Sequence, residues 1–324
     1  MQNIIDEFIS RLTCERPLDD EQVEVLRSLL NRYIALASSD LDVVELQHAA
    51  ASLNELLDAS SMFHHYAGRQ KVAIFGSART KSDSPLFALA MDFARQMAQR
   101  EWMTICGAGG GIMEAAAIGA GIENTLGVNI VLPFEQVPSP HIDQASKLVT
   151  MNNFFTRKVA LARPSAAFAA FPGGFGTLDE LFEILTLLHT GKMPPAPVVL
   201  LDTPSGSFWS ELAEWIENQV LTGGYIGATD LALVRFAVDA ETAVDEILSF
   251  YSNYVSFEHN GARGLIETRV PLSVTQLHEA QQLFPVFCAQ TGFSSESGNS
   301  FSFDFDGRQF VELRKLIDWV NQLI

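Results

Sequence analysis

Short, wholly apolar runs alternate with amphipathic stretches through the middle of the chain. Five of these runs predict buried β-strands, at residues 72–75, 102–106, 127–132, 166–171 and 197–201. Apolar residues at helical spacing predict helices near 85–100, 112–117, 154–162, 178–189 and 208–221. Strands without a polar face must be covered on both sides. The pattern therefore predicts an α/β fold, a doubly wound, Rossmann-like parallel sheet within residues 69–255.

The two flanks of the chain show different patterns. Residues 1–68 have helical periodicity, with the acidic start Asp19-Asp20-Glu21 before one helix, and we interpret them as a helical extension that covers the core or forms oligomer contacts. Residues 301–307 alternate strictly between apolar and polar side chains, which is typical of a strand with one buried and one wet face. Residues 311–324 are amphipathic. We predict a small α+β appendage at 256–324.

Composition and charge exclude several classes of protein. Of the 324 residues, 48% are hydrophobic, enough for a sizeable core, and 21 basic against 39 acidic residues give a net charge of −18. Such a surface repels nucleic acid and anionic lipid, so neither is expected as a partner. The three cysteines form no C-x-x-C pair, and no signal peptide or membrane-spanning run is apparent. We expect a cytoplasmic protein with reduced thiols.

Three turns rich in small residues follow predicted strands. The carboxyl ends of parallel strands meet at one edge of a sheet, so we expect these turns to converge. Glycines let backbone N–H groups approach an anion closely, and the helix N-terminus that follows adds positive potential. The turns therefore predict a phosphate-binding crevice that contains Gly76, Ser77, Arg79, Gly109, Gly110, Gly111, Gly173, Gly174, Gly176 and Thr177.

Better-known phosphate and catalytic motifs are not matched. The nicotinamide fingerprint G-x-G-x-x-G fails because its last position, counted from Gly107, is Ile112. The segment that ends at Lys81-Ser82 is one residue too short for a P-loop and lacks the glycine before lysine. There is no G-x-S-x-G elbow, and the histidines have no metal-ligand spacing. A dehydrogenase, an ATPase of that type and a metal site are therefore not expected.

Two further clusters allow more than one interpretation. Thr177 and Glu180 could contact the phosphate and the sugar of a nucleotide, but T-x-x-E is also a helix capping box that needs no ligand. Arg157 and Lys158 place two cations on an otherwise apolar helix, where they could bind a ligand or simply face solvent. The residues alone leave these alternatives open.

Several motifs, in order, resemble the LOG family, the "lysine decarboxylase-like" Rossmann proteins that hydrolyse nucleoside 5′-monophosphates to base and ribose 5-phosphate. Residues 172–180 match the family's P-G-G-x-G-T-x-x-E motif in full, and Arg157-Lys158 resembles its upstream arginine motif. Residues 109–114 are similar to its G-G-G-x-M-E turn, and residues 75–79 and 127–135 to runs in the longer bacterial members. Ala108 stands where many members have another glycine. The resemblance covers a little over half of the chain.

The resemblance implies a function and roles for particular residues. It implies hydrolysis of an N-glycosidic bond with Arg157 and Glu180 as catalytic residues, substrate contacts from Met113, Glu114, Asn129 and Lys158 beside the turns, and a homo-oligomer. A carboxylate such as Glu180 can stabilise the positive charge that develops on the ribose and orient water. No metal or cofactor is expected, and no lysine lies in a recognisable pyridoxal phosphate context. The alternative is a nucleotide-binding or sensing protein without turnover.

Overall fold

The computed structural model describes residues 2–133, 138–143, 145–227 and 229–324. By packing, it divides into two compact units, Met1–Asn54 and Glu55–Ile324. The first unit is helical, with α1 (Gln2–Glu15), α2 (Asp20–Ala37) and the first part of α3 (Val43–His64). A capping box starts α2, because Asp19 accepts a hydrogen bond from the backbone of Gln22 and the Gln22 side chain accepts one from Asp19. The helices expected in this region are therefore present.

A parallel sheet forms the centre of the second unit. Within the described residues it has seven strands in the order β4-β3-β2-β1-β5-β6-β7. They are β1 (Lys71–Phe75), β2 (Met103–Cys106), β3 (Thr125–Ile130), β4 (Leu148–Met151), β5 (Ala167–Ala170), β6 (Val198–Leu201) and β7 (Val234–Ala237). The predicted doubly wound α/β fold is confirmed. The two strands that the sequence pattern missed, β4 and β7, are the edges of the sheet, where burial is incomplete and polar residues are tolerated.

Helices cover both faces of this sheet. They are α4 (Pro85–Gln99), α5 (Ile112–Ala120), α6 (Phe154–Ala162), α7 (Phe175–His189), α8 (Phe208–Trp215) and α9 (Ala240–Phe250). The end of α3 packs with α6, α7 and α8 on one face, and α4, α5 and α9 pack on the other. Because β1 lies between β2 and β5, the loops after β1 and β5 lead to opposite faces. This reversal opens a crevice at the carboxyl ends of the strands.

The C-terminal part of the second unit is an antiparallel sheet with two helices. It contains β8 (Tyr254–Asn260), β9 (Arg263–Thr268), α10 (Val274–Leu283), β10 (Ser294–Ser295), β11 (Ser300–Asp304) and α11 (Phe310–Asn321). The expectation of a wet face on β11 is wrong, because Ser302 and Asp304 are buried. The Asp304 carboxylate accepts hydrogen bonds from three consecutive backbone N–H groups, at 290–292, and from Arg263. These bonds replace water, so a polar side chain can be buried there.

An ion-pair network joins this region to the parallel sheet. The buried Arg314 guanidinium of α11 binds Glu246 of α9 at 2.7 Å and Asp318 at 2.8 Å, and it lies 4.8 Å from the centre of the Phe250 ring. Arg235 of β7 binds the same Asp318 at 2.6 Å. Two arginines and two carboxylates thus neutralise each other at the contact. None of the described helices has the length and apolar character needed to span a membrane.

Candidate active site

The three glycine-rich loops meet at the carboxyl edge of the sheet, and Ser77 joins them. Its backbone N–H donates to the carbonyl of Pro172 in the loop after β5, at 3.2 Å. Its carbonyl accepts from the N–H of Ile112, the first residue of α5, at 3.1 Å. The Ser77 hydroxyl in turn accepts from the N–H of Arg79, which is exposed. The loops after β1, β2 and β5 therefore form one continuous wall.

Two helices begin at this wall without side-chain caps in the described structure. Gly111 is the N-cap of α5 and Gly174 is the N-cap of α7, and glycine has no side chain to bind the first N–H groups. Helix α7 starts at Phe175, so Thr177 lies inside its first turn. The capping-box interpretation of Thr177 and Glu180 is therefore wrong. Both helix ends offer backbone N–H groups and positive potential to an anion.

The structural reasons for glycine differ from position to position in this wall. Gly111 has a φ of +62°, and a Cβ there would lie 2.2 Å from the Ser77 carbonyl oxygen, so the fold itself requires glycine. At Gly173 a Cβ would lie 2.2 Å from Thr177 Oγ1. At Gly174 and Gly176, in contrast, a Cβ would meet nothing within 4 Å. At Gly110 the nearest atom, the Ala78 carbonyl oxygen, is at 3.5 Å. Packing does not explain these last three glycines, whose backbone is open to close approach.

Ala108 occupies the position where many members of the resembled family have glycine. Its φ is +60°, in the left-handed region that favours glycine, and it is fully buried. Its methyl group packs with Cys106, Ala117 and Ile142. The turn after β2 thus keeps a glycine-like backbone path although the residue is alanine. Gly109 beside it is buried, and a Cβ at Gly76 would lie 2.6 Å from the Ile112 side chain.

Arg157 of α6 and Glu180 of α7 form a nearly buried ion pair. Nη1 of Arg157 lies 2.9 Å from Oε1 of Glu180, and only 10% and 13% of the two side chains are exposed. Nε of Arg157 donates to the Val128 carbonyl within β3, at 3.0 Å. A Cβ at Gly107 would lie 2.1 Å from Nη2, so the guanidinium fits only because that residue is glycine. Gly107 begins the glycine-rich turn that the sequence indicates, but it was not among the predicted site residues.

The environment raises the pKa of Glu180. Burial is the largest influence, and it raises the pKa of Glu180 above its ordinary value. The Arg157 guanidinium opposes this rise, the nearby Asp179 carboxylate adds to it, and Lys158 lowers it again. A carboxylate with raised pKa in a crevice is a stronger base than an exposed one, which is typical of catalytic sites.

Asn129, Met113 and Glu114 are three further residues that the family resemblance implies as substrate contacts. Asn129 of β3 is 4% exposed, and its Oδ1 has no hydrogen-bond partner among the residues that the structure describes. A buried acceptor without a partner is costly, and a ligand hydroxyl could satisfy it. Met113 Sδ approaches Gly107 from the side of α5, whose first turn also contains Glu114. Phe134 and Glu135, at the end of the family-like run 127–135, lie outside the described residues.

Lys158 is engaged differently from its neighbour Arg157. Its Nζ binds Glu183 at 2.9 Å and Asp179 at 3.2 Å, both on α7. The hydrogen bond to Glu183 is the main reason that the pKa of Lys158 is raised. This lysine therefore joins α6 to α7, and its charge is already balanced. In the described parts of the chain no three histidine, cysteine or acidic side chains are placed to hold a metal ion.

Comparison with known proteins identifies the family. A family model described as "Possible lysine decarboxylase" matches residues 110–247. A cytokinin riboside 5′-monophosphate phosphoribohydrolase from Mycobacterium tuberculosis (strain ATCC 25618 / H37Rv) is 31% identical over 173 residues, which cover 53% of this chain and 88% of that protein. The chain belongs to the LOG family. The enzyme of the same name from Arabidopsis thaliana is 25% identical over 190 residues, 57% of this chain and 84% of that protein. The resemblance seen in the motifs is confirmed.

Solved structures also resemble this LOG-family chain over about half of its length. The molybdenum cofactor carrier protein from Chlamydomonas reinhardtii is 21% identical, with a TM-score of 0.39, over 56% of this chain and 99% of that one. The molybdenum cofactor binding protein from Rippkaea orientalis is 19% identical, with a TM-score of 0.39, over 56% of this chain and 96% of that one.

The adjacent glycines 110 and 111 provide a test of the site geometry. Gly111→Ala places a Cβ against backbone atoms at a positive φ, so we expect it to lower the free energy of unfolding by about 3 kcal/mol or more. Gly110→Ala meets no close atom, and its effect should stay within about 1 kcal/mol. Urea unfolding followed by circular dichroism measures both. Equal destabilisation by the two substitutions would contradict this account of the wall.

Proposed function

We propose that this LOG-family protein hydrolyses the N-glycosidic bond of nucleoside 5′-monophosphates and releases free base and ribose 5-phosphate. The observation that carries the proposal is the nearly buried Arg157–Glu180 pair beside three converging glycine-rich loops. Relatives that are 25% and 31% identical to this chain are named phosphoribohydrolases of cytokinin riboside 5′-monophosphate. Nucleoside 5′-monophosphates are therefore the first substrates to test.

The phosphate would bind at the start of helices α5 and α7. The N–H groups near Gly110, Gly174 and Gly176 are not blocked by side chains, and Thr177 can add its hydroxyl. Because the protein carries a net charge of −18, it has no general attraction for anions. Recognition of phosphate must then come from these local donors.

The chemistry would take place at Glu180. Cleavage of the bond between C1′ and the base leaves positive charge on the ribose ring, and an ionised Glu180 can stabilise that charge and orient or deprotonate the attacking water. Arg157 keeps Glu180 in place and can hold a ribose hydroxyl or the phosphate with the rest of its guanidinium. The Oδ1 of Asn129, which has no hydrogen-bond partner among the described residues, can accept from a ribose hydroxyl. None of these steps calls for a metal or a redox cofactor.

A nucleotide panel tests the proposal. The protein is incubated with AMP, CMP, GMP and UMP, free base is measured by chromatography, and binding is measured by calorimetry. Release of base supports the proposal, and the relative rates define the preferred base. Binding of nucleotides without release of base would instead favour a nucleotide-binding or sensing protein.

Substitution of the catalytic carboxylate should separate turnover from binding. We expect Glu180→Gln to reduce kcat by about 100-fold or more and to leave AMP binding largely intact, because the amide keeps the shape of the side chain and loses its charge. Asp179→Asn, on the exposed side of the same helix, is the matched control and should keep most of the activity. Steady-state kinetics and calorimetry check both variants. Near-normal turnover of Glu180→Gln would refute the assigned role.

The phosphate should matter for rate as well as affinity. We expect kcat/KM for AMP to exceed that for adenosine by a large factor, because phosphate binding at the helix N-termini holds the ribose against Glu180. Short-range contacts are poorly screened, so the difference should persist at high salt. The two rates are compared at low and high ionic strength. Equal cleavage of adenosine and AMP would mean that the glycine-rich loops serve only the fold.

We also propose that the protein is a homo-oligomer, at least a dimer. Aromatic side chains are exposed on α6 and α7 beside the site, with Phe154 at 55%, Phe155 at 56% and Phe175 at 94%. Phe154 and Phe155 are adjacent in the chain, and neighbouring exposed apolar groups of this size are typical of surfaces that bind another protein. Light scattering at micromolar concentration should give at least twice the monomer mass of 35.6 kDa. A monomer under these conditions would disprove the proposal.

A further inference from the structure

Glu55 is a buried carboxylate on α3, outside every motif discussed above. It is 6% exposed. Its oxygens accept hydrogen bonds from the backbone N–H of Asn152 at 2.7 Å, from the Asn152 side-chain amide at 3.1 Å and from the Asn153 amide at 3.2 Å. The Thr156 hydroxyl is also within hydrogen-bond distance of Oε2. One carboxylate therefore binds four donors from a single short segment.

That segment is the start of α6, the helix that carries Arg157. Asn153 is the N-cap of α6, but its own side chain makes no capping hydrogen bond to the helix. Glu55, on another helix, instead binds the side chains of Asn153 and Thr156, and its negative charge lies at the positive end of α6. Burial tends to raise the pKa of Glu55, but the four hydrogen bonds outweigh it and the pKa is lowered overall. Glu55 is therefore ionised at neutral pH.

We propose that Glu55 is a positioning residue for Arg157, and this inference rests on the proposed function. Thr156, which contacts Glu55, directly precedes Arg157 in the first turns of α6. The Arg157 guanidinium must reach the Val128 carbonyl and Glu180 together, through the narrow space left by Gly107. A small rotation or shift of α6 would break this arrangement. Glu55 fixes the helix at the end where Arg157 is attached.

A positioning role differs measurably from a simple helix cap. The charged groups that act on Glu180 are Arg157 and Lys158 from α6 and Asp179 from α7, and Arg157 lowers its pKa most strongly. When Arg157 moves away, the pKa of Glu180 must rise further. Because the reaction needs ionised Glu180, the fall of kcat on the acid side of its pH profile (the acid limb) then moves to higher pH. A simple cap would affect thermal stability and leave this limb unchanged.

The experiment uses variants of the full chain. Glu55→Ala removes the carboxylate. Thr156→Val removes the hydroxyl, which contacts both Glu55 and the Asn153 carbonyl, with little change of shape, and Thr156→Ser restores it. Asp239→Ala removes the cap of α9, where Asp239 accepts from the Thr242 N–H, and is the control for general loss of a helix cap. The pH dependence of kcat with AMP is measured for each variant. The pKa of Glu180 is measured independently by carbon-13 NMR of glutamate-labelled protein, with Glu180→Gln to assign the signal.

We expect Glu55→Ala and Thr156→Val to move the acid limb and the pKa of Glu180 upward by about 0.5 to 1 unit, part of the 1–3 units that an adjacent arginine supplies. Thr156→Ser should return both to the wild-type values, and Asp239→Ala should lower only the Tm. If Glu55→Ala does not fold, Thr156→Val decides. Unchanged values in the folded variants would overturn the inference. If the wild-type protein cleaves no nucleotide, the proposed function fails, but the NMR titration still tests the role of Glu55.

Discussion

The ion pair between Arg157 and Glu180 is the interaction on which the rest of the site depends. A carboxylate and a guanidinium taken out of water are costly unless they are held in good geometry and their other hydrogen bonds are satisfied. Here α6 and α7 bring the two groups to 2.9 Å, and the Val128 carbonyl accepts from the guanidinium. Gly107 leaves room for it. Because of these constraints, the strands, helices and loops that carry these residues must be placed accurately relative to one another.

The sequence predicted the sheet well because its central strands have no polar face. The edge strands β4 and β7 were missed for the same physical reason, since partial exposure allows polar residues and removes the all-apolar signature. The glycine-rich loops were also predicted, but not the cause of each glycine. Only the structure separates Gly111, which the backbone requires, from Gly174 and Gly176, which packing leaves unexplained.

Side-chain roles were harder to predict because they depend on where a helix begins and which way it faces. Thr177 and Glu180 fit a capping box by spacing, yet α7 starts at Phe175 and so places both inside the helix. Arg157 and Lys158 are neighbours in sequence, but one reaches the buried Glu180 and the other two carboxylates nearer the surface of α7. Glu55 lies in a region without any motif, and no local pattern connects it with α6.

The account's central claim is that a nearly buried Glu180, held by Arg157, must be ionised for the reaction. The pH dependence of kcat for AMP hydrolysis by the wild-type protein tests this claim most directly, because it reports the ionisation of groups in the enzyme–substrate complex. Burial raises the pKa of Glu180, so the account predicts an acid limb above the range of an ordinary glutamate, about 4.3. A rate that stays constant from neutral pH down through that range would contradict it.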